Sequence, residues 1–171
     1  MEKVRALIRE VKDFPAPGVV FRDITPVFKS WRNFSTLIFA MSYHVTWENV
    51  IIGIDARGFI LGSTLAHHMR LSMVPVRKKG KLPPPVWSES CMLEYGSEVF
   101  EIQKDALSEE SCAIVVDDVL ATGGTAVAAI KLARMCGAKV NKCIFAVEIE
   151  SLGGRKKIED MGVDVVSIFI F

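Results

Sequence analysis

The sequence predicts an α/β fold in which a parallel sheet is covered by helices on both faces. Two observations carry that expectation. Short, continuously apolar runs, the pattern of strands buried on both sides, alternate with segments of helical spacing along most of the chain. Two of those runs stop on acids: residues 50–54 before Asp55, and residues 113–116 before Asp117 and Asp118. Open parallel sheets bind ligands beyond the carboxyl ends of their strands, so both places are candidate site positions.

Taken in order, residues 2–11 read as a short amphipathic helix, stopped by Pro15, Pro17 and Gly18. Phe34, Leu37, Ile38, Met41 and Val45 follow helical spacing and predict a helix over 31–47. A strand at 50–54, a helix at 58–70 and a strand at 73–76 follow. After the second apolar run comes an alanine-rich helix at 125–136, closed by Gly137. A strand at 140–148, a helix at 154–161 and a strand at 163–171 complete the alternation. Residues 78–107 interrupt it, with Gly80, Pro83, Pro84 and Pro85, then two short alternating stretches around Glu94, Tyr95 and Gly96. They read as a hairpin-like excursion, and long excursions are often active-site lids. With no repeat and no linker, one domain over 1–171 is expected.

The composition narrows the function classes. Half of the residues are hydrophobic and 24% are charged, which excludes a disordered chain. A net charge of +1 supplies no overall field for nucleic acid or a membrane surface, and neither partner is expected. Acids and bases mix before any apolar run at the start, unlike a signal peptide. No apolar stretch approaches the ~20 residues of a membrane span. Cys91, Cys112, Cys136 and Cys143 are scattered, with no metal-ligand spacing, and read as free thiols. A cytoplasmic location and no protein-held metal are expected. His44, His67 and His68 receive no role.

The sharpest chemical signal is the string Asp117, Asp118, Val119, Leu120, Ala121, Thr122, Gly123, Gly124, Thr125, set between an apolar strand and a helix. Two glycines let backbone approach a ligand, the threonines add hydroxyls, and the free N–H groups of a helix start favour an anion. A phosphate belongs there. The paired acids repel phosphate but suit the vicinal hydroxyls of a ribose. Phosphate and ribose together make a ribose 5-phosphate. The bland alternative, acids that cap a helix and glycines that merely turn the chain, leaves the whole string unexplained. The glycine–lysine and dinucleotide fingerprints of other nucleotide folds are missing.

That string resembles the PRPP-binding motif of the type I phosphoribosyltransferases, PRPP being phosphoribosyl pyrophosphate. Residues 14–26 (FPAPGVVFRDITP), 53–59 (GIDARGF), 77–83 (RKKGKLP), 93–96 (LEYG), 101–107 (EIQKDAL) and 148–155 (EIESLGGR) extend the likeness to the adenine phosphoribosyltransferase family over nearly the whole chain. Two departures are Pro84, where a glycine is usual, and Val119, where a leucine is usual. The resemblance implies a Rossmann-like parallel sheet flanked by helices, the type I phosphoribosyltransferase fold, with an N-terminal hood and a flexible hairpin lid. It implies adenine and PRPP as substrates, AMP and pyrophosphate as products, Mg2+ carried with PRPP, and a homodimer. It also implies a cis peptide between Asp55 and Ala56.

The site residues follow from residues and resemblance together. Asp117 and Asp118 would hold the ribose, and Ala121, Thr122, Gly123, Gly124 and Thr125 the 5-phosphate. Arg57, an arginine at a strand end that opens a helix, can grip an anion bidentately, and joins Arg77, Lys78 and Lys81 on pyrophosphate. Phe21 can stack on a purine. The resemblance adds that backbone at Val20 and Arg22 reads the adenine edge, that Val119 covers the other face, and that Glu94 is the catalytic carboxylate. As isolated residues, Glu94 and the lysines would read as solvated surface and Phe21 as core. The competing functions are transfer to another purine such as xanthine, and a PRPP-sensing regulator without catalysis. The regulator would need a basic face or an added binding segment, and neither is present in the sequence.

Overall fold

The computed structural model describes the chain except Pro15 and residues 93–96, with Met92 described in its backbone alone. Seven strands form one sheet in the order β5-β6-β4-β3-β7-β8-β9. The strands β4 (Ser72–Lys78), β3 (Val50–Ile54), β7 (Cys112–Leu120), β8 (Lys139–Glu148) and β9 (Asp164–Ile170) are mutually parallel. Alternate residues of each central strand serve opposite faces. Ile52 and Val115 pack with Ala129, Leu132 and Ile158 of helices α5 (Gly124–Met135) and α6 (Gly154–Glu159). Ile51 and Ile114 pack with Leu37, Met41, Leu61 and Leu65 of α3 (Trp31–Ser42) and α4 (Arg57–Met69). Burial on both faces is why these strands read as unbroken apolar runs rather than alternating ones.

Four expectations need correction. Residues 2–11 are not one helix. Only α1 (Glu2–Arg5) is helical, while β1 (Arg9–Lys12) pairs antiparallel with β2 (Val20–Asp23) in a separate two-stranded hairpin. A helix of that length is marginal alone. The hairpin instead gains the Arg9–Asp23 ion pair at 2.6 Å and places Val11 opposite Phe21. Asp13 takes a left-handed φ of 56°, and its carboxylate accepts from Gly18 N at 2.7 Å, which closes the turn. The second helix ends at Ser42, not near 47. The residues beyond it turn around the buried Glu48 carboxylate, which accepts from the backbone N–H groups of Thr46 and Trp47.

The third correction concerns β7, which does not stop before its acids but runs through Asp117 and Asp118 to Leu120, still paired with β8. The fourth concerns the excursion. β5 (Val86–Met92) and β6 (Ser97–Gln103) are antiparallel, and β6 adds to β4 through Arg77↔Glu101 and Lys78↔Phe100. The base of the hairpin is therefore the edge of the main sheet. Trp87, Phe100 and Ile102 tie it into the core.

Chain order reverses between β3 and β7: β4 lies on one side of β3, and β7, β8 and β9 on the other. This is the topological switch point where an open α/β sheet leaves a crevice. Short helix α2 (Thr25–Phe28) links the hairpin to α3, and its Val27 is fully buried.

Candidate active site

At the switch point, β3 delivers Asp55 and then the first turn of α4. The Asp55-Ala56 peptide is cis, as the resemblance implied. Gly58 seats α4 against β7 so closely that a Cβ would lie 2.8 Å from Val116 O and 2.9 Å from an Asp117 carboxylate oxygen. That approach brings Arg57 to Asp118: Arg57 Nε donates to Asp118 Oδ2, and Asp118 is buried. The Arg57 guanidinium also stands 5.1 Å from the centroid of the Phe21 ring in β2. Burial opposes the charge on Arg57, but Asp118 and then Asp117 outweigh it and raise its affinity for the proton. Burial pushes the Asp117 carboxyl well up, and the neighbouring Asp118 charge adds to the effect.

The glycine loop joins β7 to α5. Gly123 adopts a left-handed φ of 79°, and a Cβ there would lie 2.8 Å from Gly154 O. Reciprocally, a Cβ on Gly154 would lie 2.7 Å from Gly123 N and collide with Ala121 O. Two glycine turns thus pack backbone on backbone, and the turn at 153–154 buttresses the loop at 121–125. The next residue, Arg155, clamps the β8 end through Nε and Nη2, which donate to Glu148 at 2.9 and 2.5 Å. Burial raises the Glu148 carboxyl, but the hydrogen bonds and charge of Arg155 prevail and hold it below its ordinary range.

A cavity of about 740 Å³ opens over these strand ends. Val20, Phe21, Arg22, Asp55, Arg57, Lys78, Asp117, Asp118, Val119 and residues 121–125 all line it. The structure therefore brings together most of the sequence-derived candidates. Two stand apart. Arg77 is turned to Asp55, with Nε 3.4 Å from Oδ2, and its Nη1 donates to the Lys81 carbonyl at 3.2 Å. Lys81 is exposed. Neither lines the cavity. Glu94 lies outside the described residues.

Sequence reasoning missed three features. Glu98 lines the cavity and pairs with Lys78 at 2.5 Å. It is one acid in an alternating strand, and nothing local distinguishes it. Ile149, Ser151 and Leu152 supply a wall. Gly154 carries the loop contact, and two adjacent glycines after a strand were the signal for a close backbone approach.

The phosphoribosyl transferase domain family matches residues 33–170. A relative named adenine phosphoribosyltransferase from Ruegeria pomeroyi is 42% identical over 172 residues, covering 99% of this chain and 96% of its own. One of the same name from Bordetella avium is 45% identical, with 99% and 94% covered. The crystal structure of adenine phosphoribosyltransferase from Thermoanaerobacter pseudethanolicus superimposes with a TM-score of 0.94 at 42% identity, covering 99% of both chains. That of the Saccharomyces cerevisiae adenine phosphoribosyltransferase, complexed with an imino-altritol bisphosphate and adenine, gives 0.91 at 35% identity, covering 98% of this chain and 97% of its own.

Proposed function

The chain belongs to the adenine phosphoribosyltransferase family, and from that premise we propose how its residues divide the transfer of the 5-phosphoribosyl group from PRPP to adenine, giving AMP and pyrophosphate. The observation that carries the division is the meeting of Arg57, the Asp117–Asp118 pair and the 121–125 loop in one cavity at the β3/β7 switch.

Residues 121–125 hold the 5-phosphate at the start of α5, where helix N–H groups favour an anion. Asp118 and Asp117 take the ribose hydroxyls. Attack at the anomeric carbon forms the bond to the purine nitrogen as the bond to pyrophosphate breaks, through an oxocarbenium-like state. A carboxylate beneath the ribose favours that developing cation. Arg57 and Lys78 receive the leaving pyrophosphate, each by exchanging its present carboxylate partner, Asp118 or Glu98, for phosphate oxygens. Arg77 and Lys81, at the foot of the β5–β6 hairpin, turn towards pyrophosphate, Arg77 by leaving its present partner Asp55. Mg2+ arrives as part of the PRPP complex.

Backbone at Val20 and Arg22 reads the adenine edge, with Phe21 and Val119 on the ring faces. Glu94 accepts the proton that the purine nitrogen loses. Closure over the site excludes the water that would otherwise hydrolyse PRPP.

A homodimer is also part of this reading. Within the apolar run 168–171, Phe169 is buried and Phe171 is engaged by Arg5 and Arg22, while Ile170 is exposed. Trp31, Phe39, Tyr43 and Trp47, all exposed on α3 and just beyond it, are the better candidates. No helix among the described residues is long and apolar enough to cross a membrane, and a cytoplasmic location is proposed.

Base choice tests the function. Adenine is expected to exceed hypoxanthine in kcat/KM by ~10⁴-fold or more, because mismatched donors leave buried polar groups unpaired. Initial rates with PRPP and adenine, hypoxanthine, guanine or xanthine in turn measure this. Comparable values for adenine and hypoxanthine would remove the assignment.

A further inference from the structure

Phe171 joins two walls of the cavity. Its backbone is fixed to one of them: Phe171 N donates to Glu148 O at 2.9 Å, and its carbonyl accepts from Glu150 N at 3.0 Å. Glu150 begins the 3₁₀ turn Glu150–Leu152, whose Ser151 and Leu152 line the cavity. Its ring meets the other wall. The Arg22 guanidinium lies 4.5 Å from the ring centroid and that of Arg5 lies 4.4 Å from it. Arg22 lines the cavity beside Phe21, and Glu10 steadies it through an ion pair at 2.8 Å.

The hairpin β1–β2 shares no strand ladder with the seven-stranded sheet. Side-chain contacts must therefore set where β2 stands over the site. The Arg22–Glu10 pair links β2 only to β1, within the hairpin, so it does not fix the hairpin over the sheet. A guanidinium over an aromatic face is a stronger and more directional tie, because arginine is weakly hydrated and planar. Arg22 on Phe171 is such a tie between the hairpin and the sheet.

We propose that Phe171 is a positioning residue for the base site: its ring fixes Arg22, and through it the backbone of residues 20–22, at the height above the cavity that a purine requires. This rests on the reading of residues 20–22 as the adenine-reading edge. Phe171 is partly buried at the rim of the core, so loss of its ring opens no enclosed void and the fold is expected to persist.

The test uses Phe171→Leu, Phe171→Ala, Phe171→Tyr and, as a control, Phe21→Ala in the full chain. Adenine KM and kcat, PRPP affinity by calorimetry and Tm are measured for each. Leucine keeps apolar bulk and loses the aromatic face. Phe171→Leu and Phe171→Ala are expected to raise adenine KM by about 5–10-fold, with PRPP affinity within about 2-fold of wild type, and Phe171→Tyr to restore wild-type KM. A Leu variant with wild-type adenine KM overturns the proposal, as does a parallel loss of PRPP affinity, which marks general loosening. If Phe21→Ala raises adenine KM and Phe171→Leu does not, the inference about Phe171 alone fails. If Phe21→Ala leaves adenine KM unchanged, the base-site reading fails and the role of Phe171 falls with it.

Discussion

Arg57 Nε donates to Asp118, and the same guanidinium stands 5.1 Å from the Phe21 ring centroid, so one side chain touches the proposed ribose site and the proposed base site at once. A pyrophosphate offers more charge than one carboxylate, and PRPP is expected to draw Arg57 off both. The grouping of these residues around one cavity was legible because strand-end acids, a following arginine and paired glycines are contiguous strings. Glu98 and the Arg77–Asp55 pairing were not, because they arise from strands brought together across sequence. Glu94 was nameable only through resemblance. Glu94→Gln keeps its shape and removes the proton acceptor, so single-turnover AMP formation at saturating adenine and PRPP is expected to slow by ~10²–10⁴-fold. PRPP affinity should hold, since the 121–125 loop and both aspartates are intact. A wild-type single-turnover rate in that variant would take Glu94 out of the mechanism.

Among the elements, the β7–loop–α5 unit carries the sharpest local demand. Gly123 needs its left-handed φ, but Gly124, the first residue of α5, has no such requirement. Gly124→Val is therefore compatible with the backbone while placing two methyls at the cavity wall. Binding of PRPP and AMP is expected to weaken by at least ~100-fold with far-UV circular dichroism unchanged, and unchanged AMP affinity by calorimetry in a folded variant would refute the phosphate role. The strands β3 and β8, with α4 and α5, fell within a few residues of their sequence-derived bounds, because burial on both faces writes an apolar run. Residues 2–11 misled because their apolar spacing fits a helix, while the deciding contacts, Arg9 with Asp23 and Val11 opposite Phe21, lie across a turn. The acids of β7 likewise look like a strand's end, yet their backbone remains paired with β8.

At the scale of the whole molecule, Glu48 pins the region after α3 to the far side of the sheet. Its buried carboxylate accepts from Thr46 N at 2.7 Å, Trp47 N at 3.1 Å, Asn141 Nδ2 at 3.2 Å and Lys142 Nζ at 3.0 Å. Burial alone would raise this carboxyl, but these donors lower it to about 2. A depressed carboxylate contributes stability above its unfolded value near 4.5, and the contribution fades as pH falls from there towards 2. Glu48→Gln is expected to lower stability by roughly 2 kcal/mol at pH 7, about 5 °C in Tm, with the difference from wild type closing below pH 4. Calorimetric scans of both proteins at pH 7, 5 and 3 measure it, and a pH-independent gap would refute the account. The contact between Gly123 and Gly154 has another consequence, one of timing. The loop at 121–125 emerges from the ribosome before the glycines at 153–154 do, so the emerging chain holds its proposed phosphate cradle without a buttress. PRPP can then reward only chains whose later strands have already docked, and cannot chaperone the earlier stages of their folding.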